Sequence, residues 1–247
     1  MVSKTSATEC VNVWMPIYAC AGRWQPLPYA DENEPMNIAI GNQVPRSGSP
    51  FSRWFARCFL RLLGWQLHGE IPNLPKMVLI GAPHTTNMDG VIGIATLVAL
   101  GLKANTMIKD TAFKGILGPI LRGFGAIPIN RKSPKGVVEQ SVDAFTSRPQ
   151  LLLLIAPEGT RHSAKEWKRG FWHIAAGAQV PVLPAAIDYR RKIVTFGPPL
   201  TPTDTYADDL TSLLDFYAKY SEPRHLYRLS KPMCERLGQT WKPEADD

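Results

Sequence analysis

A histidine and an aspartate five positions apart, in Pro83-His84-Thr85-Thr86-Asn87-Met88-Asp89, are residues whose types and spacing could do chemistry. An imidazole serves as a general base near neutral pH, and a carboxylate beside it fixes the tautomer and stabilises the imidazolium. On a regular helix this spacing puts the two side chains about 140° apart. They meet only if His84 sits in a turn and Asp89 in the first helical turn, with Thr86 or Asn87 as the N-cap. Such a geometry resembles a catalytic triad lacking its own nucleophile, so the substrate would have to supply the attacking hydroxyl. Taken alone, the spacing also fits a surface histidine near a helix cap.

Three further blocks follow it. The apolar run Leu151-Leu-Leu-Leu-Ile-Ala-Pro ends in Glu158-Gly159-Thr160-Arg161. That places an acid, a glycine, a hydroxyl and a guanidinium at the carboxyl end of a predicted strand, where open α/β folds bind ligands. Gly159 permits close backbone approach, Thr160 can donate a hydrogen bond, and Arg161 can grip a phosphate with two parallel bonds. A plain turn with a Glu–Arg surface pair is the competing reading. Gly125-Ala-Ile-Pro-Ile-Asn130-Arg131-Lys132 is a short strand ending in two cations. Val180-Pro-Val-Leu-Pro184-Ala-Ala-Ile187 is an apolar strand whose prolines imply an edge, a bulge or a special approach.

Alternating strands and helices have to position these blocks. Apolar runs at 76–81, 104–108, 126–129, 151–156, 181–187 and 192–196 predict strands, mostly buried. Helical periodicity covers 89–100, 113–122, 135–147 and 169–178, and turn signals at Thr201 to Asp204 introduce a helix near 206–220. The expected fold is α/β, a central largely parallel or mixed sheet flanked by helices. An amphipathic helix precedes it. In residues 51–66, Arg53, Arg57 and Arg61 recur every fourth position, and Trp54, Phe55, Cys58, Phe59, Leu62 and Leu63 fill the remainder. That pattern suits either a helix in the headgroup region of a bilayer or one docked on the domain core. The expected division is an extended or partly disordered lead over 1–50, this helix within 51–75, a catalytic domain over 76–200, and a C-terminal helical extension over 201–247.

Composition narrows the function classes. The chain has 247 residues and a net charge of +7. Residues 103–192 hold 15 Lys/Arg and 6 Asp/Glu, a net of +9, leaving −2 for the rest. The centre of the protein therefore expects an anionic partner. No window supplies the roughly 18 apolar residues of a membrane-spanning helix. Cys10, Cys20, Cys58 and Cys234 are scattered with no CxxC pair, which argues against a metal site or a disulfide framework and fits reduced cytoplasmic thiols. Apolar residues 10–21 are interrupted by Asn12 and Pro16 and are not expected to be a secretory signal.

The four blocks in their order resemble the glycerolipid acyltransferase family, which contains the 1-acylglycerol-3-phosphate acyltransferases; the resemblance covers residues 76–200. Trp167-Lys168-Arg169-Gly170-Phe171 is similar to a stretch of its bacterial members. Pro83 stands where many members carry Asn, and Thr86 where many carry Ser. The resemblance implies His84 as general base and Asp89 as the group that orients it. It further implies Glu158, Gly159, Thr160 and Arg161 as acceptor-binding residues, Arg131 as a second phosphate contact, and Pro184 as shaping the acyl side. It implies no metal, cofactor or covalent acyl-enzyme. The partners are an acyl donor thioester (acyl-CoA or acyl-carrier protein), a lysophospholipid acceptor and a membrane surface, with the protein cytoplasmic and peripheral on the membrane. A non-catalytic lipid-binding protein of the same fold is the rival reading. Nucleic acid is not an expected partner, since no recognised motif accompanies the charge.

Overall fold

A computed structural model describes residues 38–113, 119, 125–130, 133 and 135–243. The first described helix, α1 (Pro50–Leu62), is capped by the Ser49 side chain, which accepts from the Ser52 backbone N–H, and begins with proline. The helix expected over 51–66 thus ends at Leu62, and Gln66 begins the strand β1 (Gln66–Gly69). Gly64 ends the helical stretch with a left-handed φ of 78°.

Next come β2 (Lys76–Ala82), α2 (Asn87–Leu100) and the two-residue β3 (Ala104–Asn105). The remaining elements are β4 (Met107–Lys109), β5 (Ile127–Ile129), α3 (Val137–Thr146), β6 (Leu151–Ile155), α4 (Gly170–Ala178), β7 (Val182–Asp188), β8 (Ile193–Phe196), α5 (Tyr206–Tyr220) and α6 (Lys231–Arg236).

Six strands form a mixed sheet in the order β1-β8-β7-β2-β6-β3, parallel throughout except for the β7–β8 pair. The single strand expected over 104–108 is two. Asn105 turns its side-chain amide onto the Gly125 carbonyl at 2.7 Å, and beyond it β4 leaves to pair in parallel with β5 in a separate two-stranded sheet. Pro184 lies in the middle of the large sheet, between β2 and β8, and not at an edge. A proline fits there because the pairing slips by one residue: Ala185 opposes Phe196, whereas Val182 opposes Leu200. The slip is a bulge, one of the settings in which a strand tolerates a missing N–H.

Side chains alternate along β2. Met77 and Leu79 join Leu67, Leu152, Leu183, Val194 and Phe196 in a core roofed by α1 and α2. Val78, Ile80 and Ala82 join Leu151, Leu153 and Val182 in a second core roofed by α3, α4, α5 and α6. Helices thus cover both faces of the sheet, as strands that are apolar on both sides require. The helix expected over 113–122 lies largely outside the described residues; a 3-10 turn at Asp110–Phe113 precedes it. Of the lead segment, residues 38–49 lie against the domain, with Val44 buried. No helix among the described residues is long and apolar enough to cross a membrane.

Candidate functional site

Three neighbouring parallel strands deliver the site. β2 lies between β6 and β7, with Ile80 opposite both Ile155 and Pro184. The loops leaving the carboxyl ends of these strands therefore emerge side by side. After β2 the chain makes the turn carrying His84, after β6 the turn carrying Glu158 to Arg161, and after β7 it reaches Tyr189.

The β2 turn folds as the sequence demands. Thr86 is the N-cap of α2, accepting from the backbone N–H groups of Met88 and Asp89. Asp89 reciprocates, accepting from the Thr86 N–H at 2.8 Å and the Thr86 hydroxyl at 2.9 Å. This capping box satisfies backbone donors that the first helical turn would otherwise leave unpaired. The same arrangement brings Asp89 Oδ2 to 3.4 Å from His84 Nδ1. That is ion-pair range, looser than a formed hydrogen bond, as acid–base pairs often are without substrate. His84 is 28 % exposed at its side chain and Asp89 only 4 %.

Asp89 also accepts from the Thr85 N–H at 2.6 Å and from the Tyr189 hydroxyl at 2.6 Å. Burial alone would push its pKa up, but the contacts with His84, Tyr189, Thr86 and Thr85 outweigh this and hold it below the ordinary carboxylate value. The carboxylate is therefore charged and oriented at neutral pH.

Glu158 sits beneath the same turn, 3 % exposed. Its Oε2 accepts from the His84 backbone N–H at 2.6 Å, tying the β6 turn to the β2 turn. Its Oε1 makes no hydrogen bond among the described residues. Burial pushes the Glu158 carboxyl up to about 7, against the pull of the His84 N–H and the nearby Ser230 hydroxyl. Gly159 has a left-handed φ of 67°, a backbone conformation that favours glycine. Arg161 is exposed and its guanidinium contacts the side-chain oxygen of Asn87, the first residue of α2. A second guanidinium approaches from the C-terminal region, where Arg228 donates to the Thr85 carbonyl at 3.2 Å.

The structure thus brings His84, Asp89, Glu158, Gly159, Thr160 and Arg161 to the carboxyl ends of the central strands. Arg131 lies outside the described residues. Trp167, buried, donates to the Ser230 hydroxyl at 2.9 Å and stacks edge-on against Tyr217, anchoring the stretch after the Glu158 turn to the C-terminal helices. Sequence reasoning missed Tyr189 and Arg228. Tyr189 had one usable signal, its place immediately after a buried strand; Arg228 had none. Among the described residues, no group of three or more His, Cys, Asp or Glu gathers as a metal site would require.

Comparisons with known proteins bear on the family and the fold of the chain. The acyltransferase family model matches residues 66–188, about half of the chain. Across 172 residues the chain is 27 % identical to the 1-acyl-sn-glycerol-3-phosphate acyltransferase of Streptococcus pneumoniae. That match covers 61 % of this chain and 63 % of the relative, so it spans less than two thirds of the relative's length. In fold, the chain is similar to the crystal structure of the 1-acyl-sn-glycerophosphate (LPA) acyltransferase PlsC from Thermotoga maritima. There the TM-score is 0.51 at 14 % identity, covering 78 % of this chain and 80 % of the other. The matched span runs from β1 to the end of β7 and so contains the His84 turn and the Glu158 turn together; the chain belongs to the acyltransferase family.

Proposed function

We propose that the protein is an O-acyltransferase that moves a fatty acyl group from acyl-CoA or acyl-carrier protein to the hydroxyl of a lysophospholipid-like acceptor. Among acceptors, 1-acylglycerol-3-phosphate stands first. The observation that carries the reading is the His84–Asp89 pair, held by a capping box at the carboxyl ends of parallel strands and flanked by cationic side chains.

In this mechanism Asp89 faces Nδ1, which leaves Nε2 of His84 to take the proton from the acceptor hydroxyl. The acceptor oxygen attacks the thioester carbonyl, the tetrahedral intermediate collapses, and the departing thiolate recovers the proton from the imidazolium. No acyl-enzyme forms. Asp89, charged at neutral pH, stabilises the imidazolium between the two proton transfers. Gly159, Thr160 and Arg161 bind the acceptor, with Arg161 and Arg131 as the phosphate contacts, and Glu158 supports the turn from below.

A lipid substrate also calls for a docking surface. α1 and α2 bury Ala56, Leu60, Ile92, Leu97 and Leu100 in the same core, so their opposite faces point outward together. Those faces expose Trp54, Phe55, Leu62 (87 %), Val91 and Ile94 (62 %) beside Arg57 and Arg61. Exposed aromatic and aliphatic side chains with interspersed arginines match the interfacial region of an anionic bilayer. The protein on this reading is peripheral on the membrane.

Purified protein incubated with panels of acyl-CoA and acyl-carrier-protein donors and lysolipid acceptors, with products read by mass spectrometry, tests the proposal. His84→Ala is expected to abolish transfer while the melting temperature stays unchanged. Near-wild-type turnover by the folded variant would sink the mechanism. Vesicle binding without transfer from any donor would favour the lipid-binding alternative.

A further inference from the structure

We propose that Tyr189 is a positioning residue of the reaction, its hydroxyl fixing and partly neutralising Asp89 so that this carboxylate holds His84 without over-stabilising the imidazolium. The inference rests on the general-base reading above and deepens it. The geometry is specific. The two oxygens of Asp89 are divided: Oδ2 serves His84 and the Thr85 and Thr86 N–H groups, while Oδ1 takes the hydroxyls of Thr86 and Tyr189. The Tyr189 bond, at 2.6 Å, is short as charge-assisted O–H donors are. Tyr189 lies 100 residues away in sequence, one position past the end of β7 and of the span matched by the family model.

Its ring is itself fixed, edge-on to the buried Trp65 with centroids 5.3 Å apart. Burial and the neighbouring Asp89 raise the phenol's pKa, so it remains a donor throughout the working range. Glu158 and Arg224 act on this group electrostatically, Glu158 through Asp89 and Arg224 on Tyr189 directly. Arg228 and Arg161 touch the turn at Thr85 and Asn87.

A hydrogen bond to a buried charge lowers that charge's pull on other partners. Without the phenol, Asp89 draws more strongly on protonated His84. The base is then harder to free, and the carboxylate has one fewer restraint on its orientation. Tyr189→Phe keeps the ring against Trp65 and removes only the donor. With palmitoyl-CoA and 1-acylglycerol-3-phosphate, Y189F should lose about tenfold in kcat, as expected for one charge-assisted bond. Both KM values should stay within about twofold. The acidic limb of the kcat/KM profile should move to higher pH, and the same upward movement should appear in an NMR titration of labelled histidines, where His84→Ala identifies the resonance.

Wild-type kcat with an unmoved limb in Y189F overturns the proposal. So does a kcat loss accompanied by a lower melting temperature and no movement of the limb, which is the signature of packing alone; Tyr189→Ala calibrates that signature. If His84→Ala retains activity, the general-base reading fails, and the histidine titration still decides whether Tyr189 acts on the Asp89–His84 pair.

Discussion

Replacing Glu158 with glutamine should make the protein's stability less dependent on pH, and the size of the effect follows from the carboxyl's burial. The side chain is 3 % exposed and its pKa is raised from 4.5 to about 7. Because the folded value lies above the unfolded one, the native state holds this proton more tightly. Its contribution is fully present below about pH 4.5 and is lost as pH rises through about 7. Each unit of pKa difference corresponds to about 1.4 kcal/mol, so the loss across the window is about 3 kcal/mol. Glutamine does not titrate, and its Oε1 can still accept from the His84 N–H that Glu158 Oε2 now accepts.

Thermal or urea unfolding of the two proteins at pH 4.5, 6 and 8 measures the difference, in which every other titrating group cancels. The E158Q variant should gain on the wild type by about 3 kcal/mol between the ends of the series. For a chain of this length that is roughly 6 to 12 °C in melting temperature. A stability difference that does not change with pH would refute the reasoning. Acyl transfer by E158Q separates two roles for the residue: support of the His84 turn predicts nearly unchanged KM for the acceptor, whereas direct acceptor binding predicts a raised one.

The capping box and the exposed helical face give two further expectations. Thr86→Ala should cost about 1 kcal/mol of stability and reduce kcat, while Thr86→Ser restores both, because the lost cap also restrains Asp89; unchanged kcat in Thr86→Ala would detach the cap from the catalytic geometry. Trp54→Ala combined with Ile94→Ala should weaken co-sedimentation with vesicles of anionic phospholipid by tenfold or more, with circular dichroism unchanged. Rising salt should weaken the wild type as well, through screening of its arginines. Undiminished vesicle binding by the double variant would move the membrane contact elsewhere.

The parts of the fold legible in the sequence are those whose signal is local. β2, β6 and β7 are buried on both faces, so they appear as largely apolar runs, and α3 and α5 carry 3.6-residue periodicity. β1 is only Gln66–Gly69, half polar, and exists because β8 offers it a parallel partner. Nothing within four residues could announce that. The division of 104–109 between two sheets was equally hidden, since it depends on where β5 and the Gly125 carbonyl lie. In the site, a turn followed by a cap is local chemistry, so the meeting of His84 with Asp89 could be reasoned from spacing. The approach of Glu158 to the same turn needed only one assumption, that β2 and β6 are neighbours. Tyr189 and Arg228 lie 100 and 143 residues away from their partners; the place of Tyr189 after a buried strand marks it as near the site, but no local pattern pairs either residue with its partner.

Asp89 joins folding to chemistry in this site. A carboxylate at the third position of a helix caps it and favours the positive end of the helix dipole whatever the protein does. Here the same carboxylate accepts from the turn's N–H groups on the oxygen that faces His84. The donors that stabilise the helix start therefore also lower the Asp89 pKa and aim it at the imidazole. A substitution that loosens the cap misplaces the pair, and one that removes the charge also unties the cap. The short path from β2 into α2 makes this economical. One turn of chain closes the strand, starts the helix and sets the acid–base geometry, while the turns after β6 and β7 supply the carboxyl beneath it and the phenol beside it.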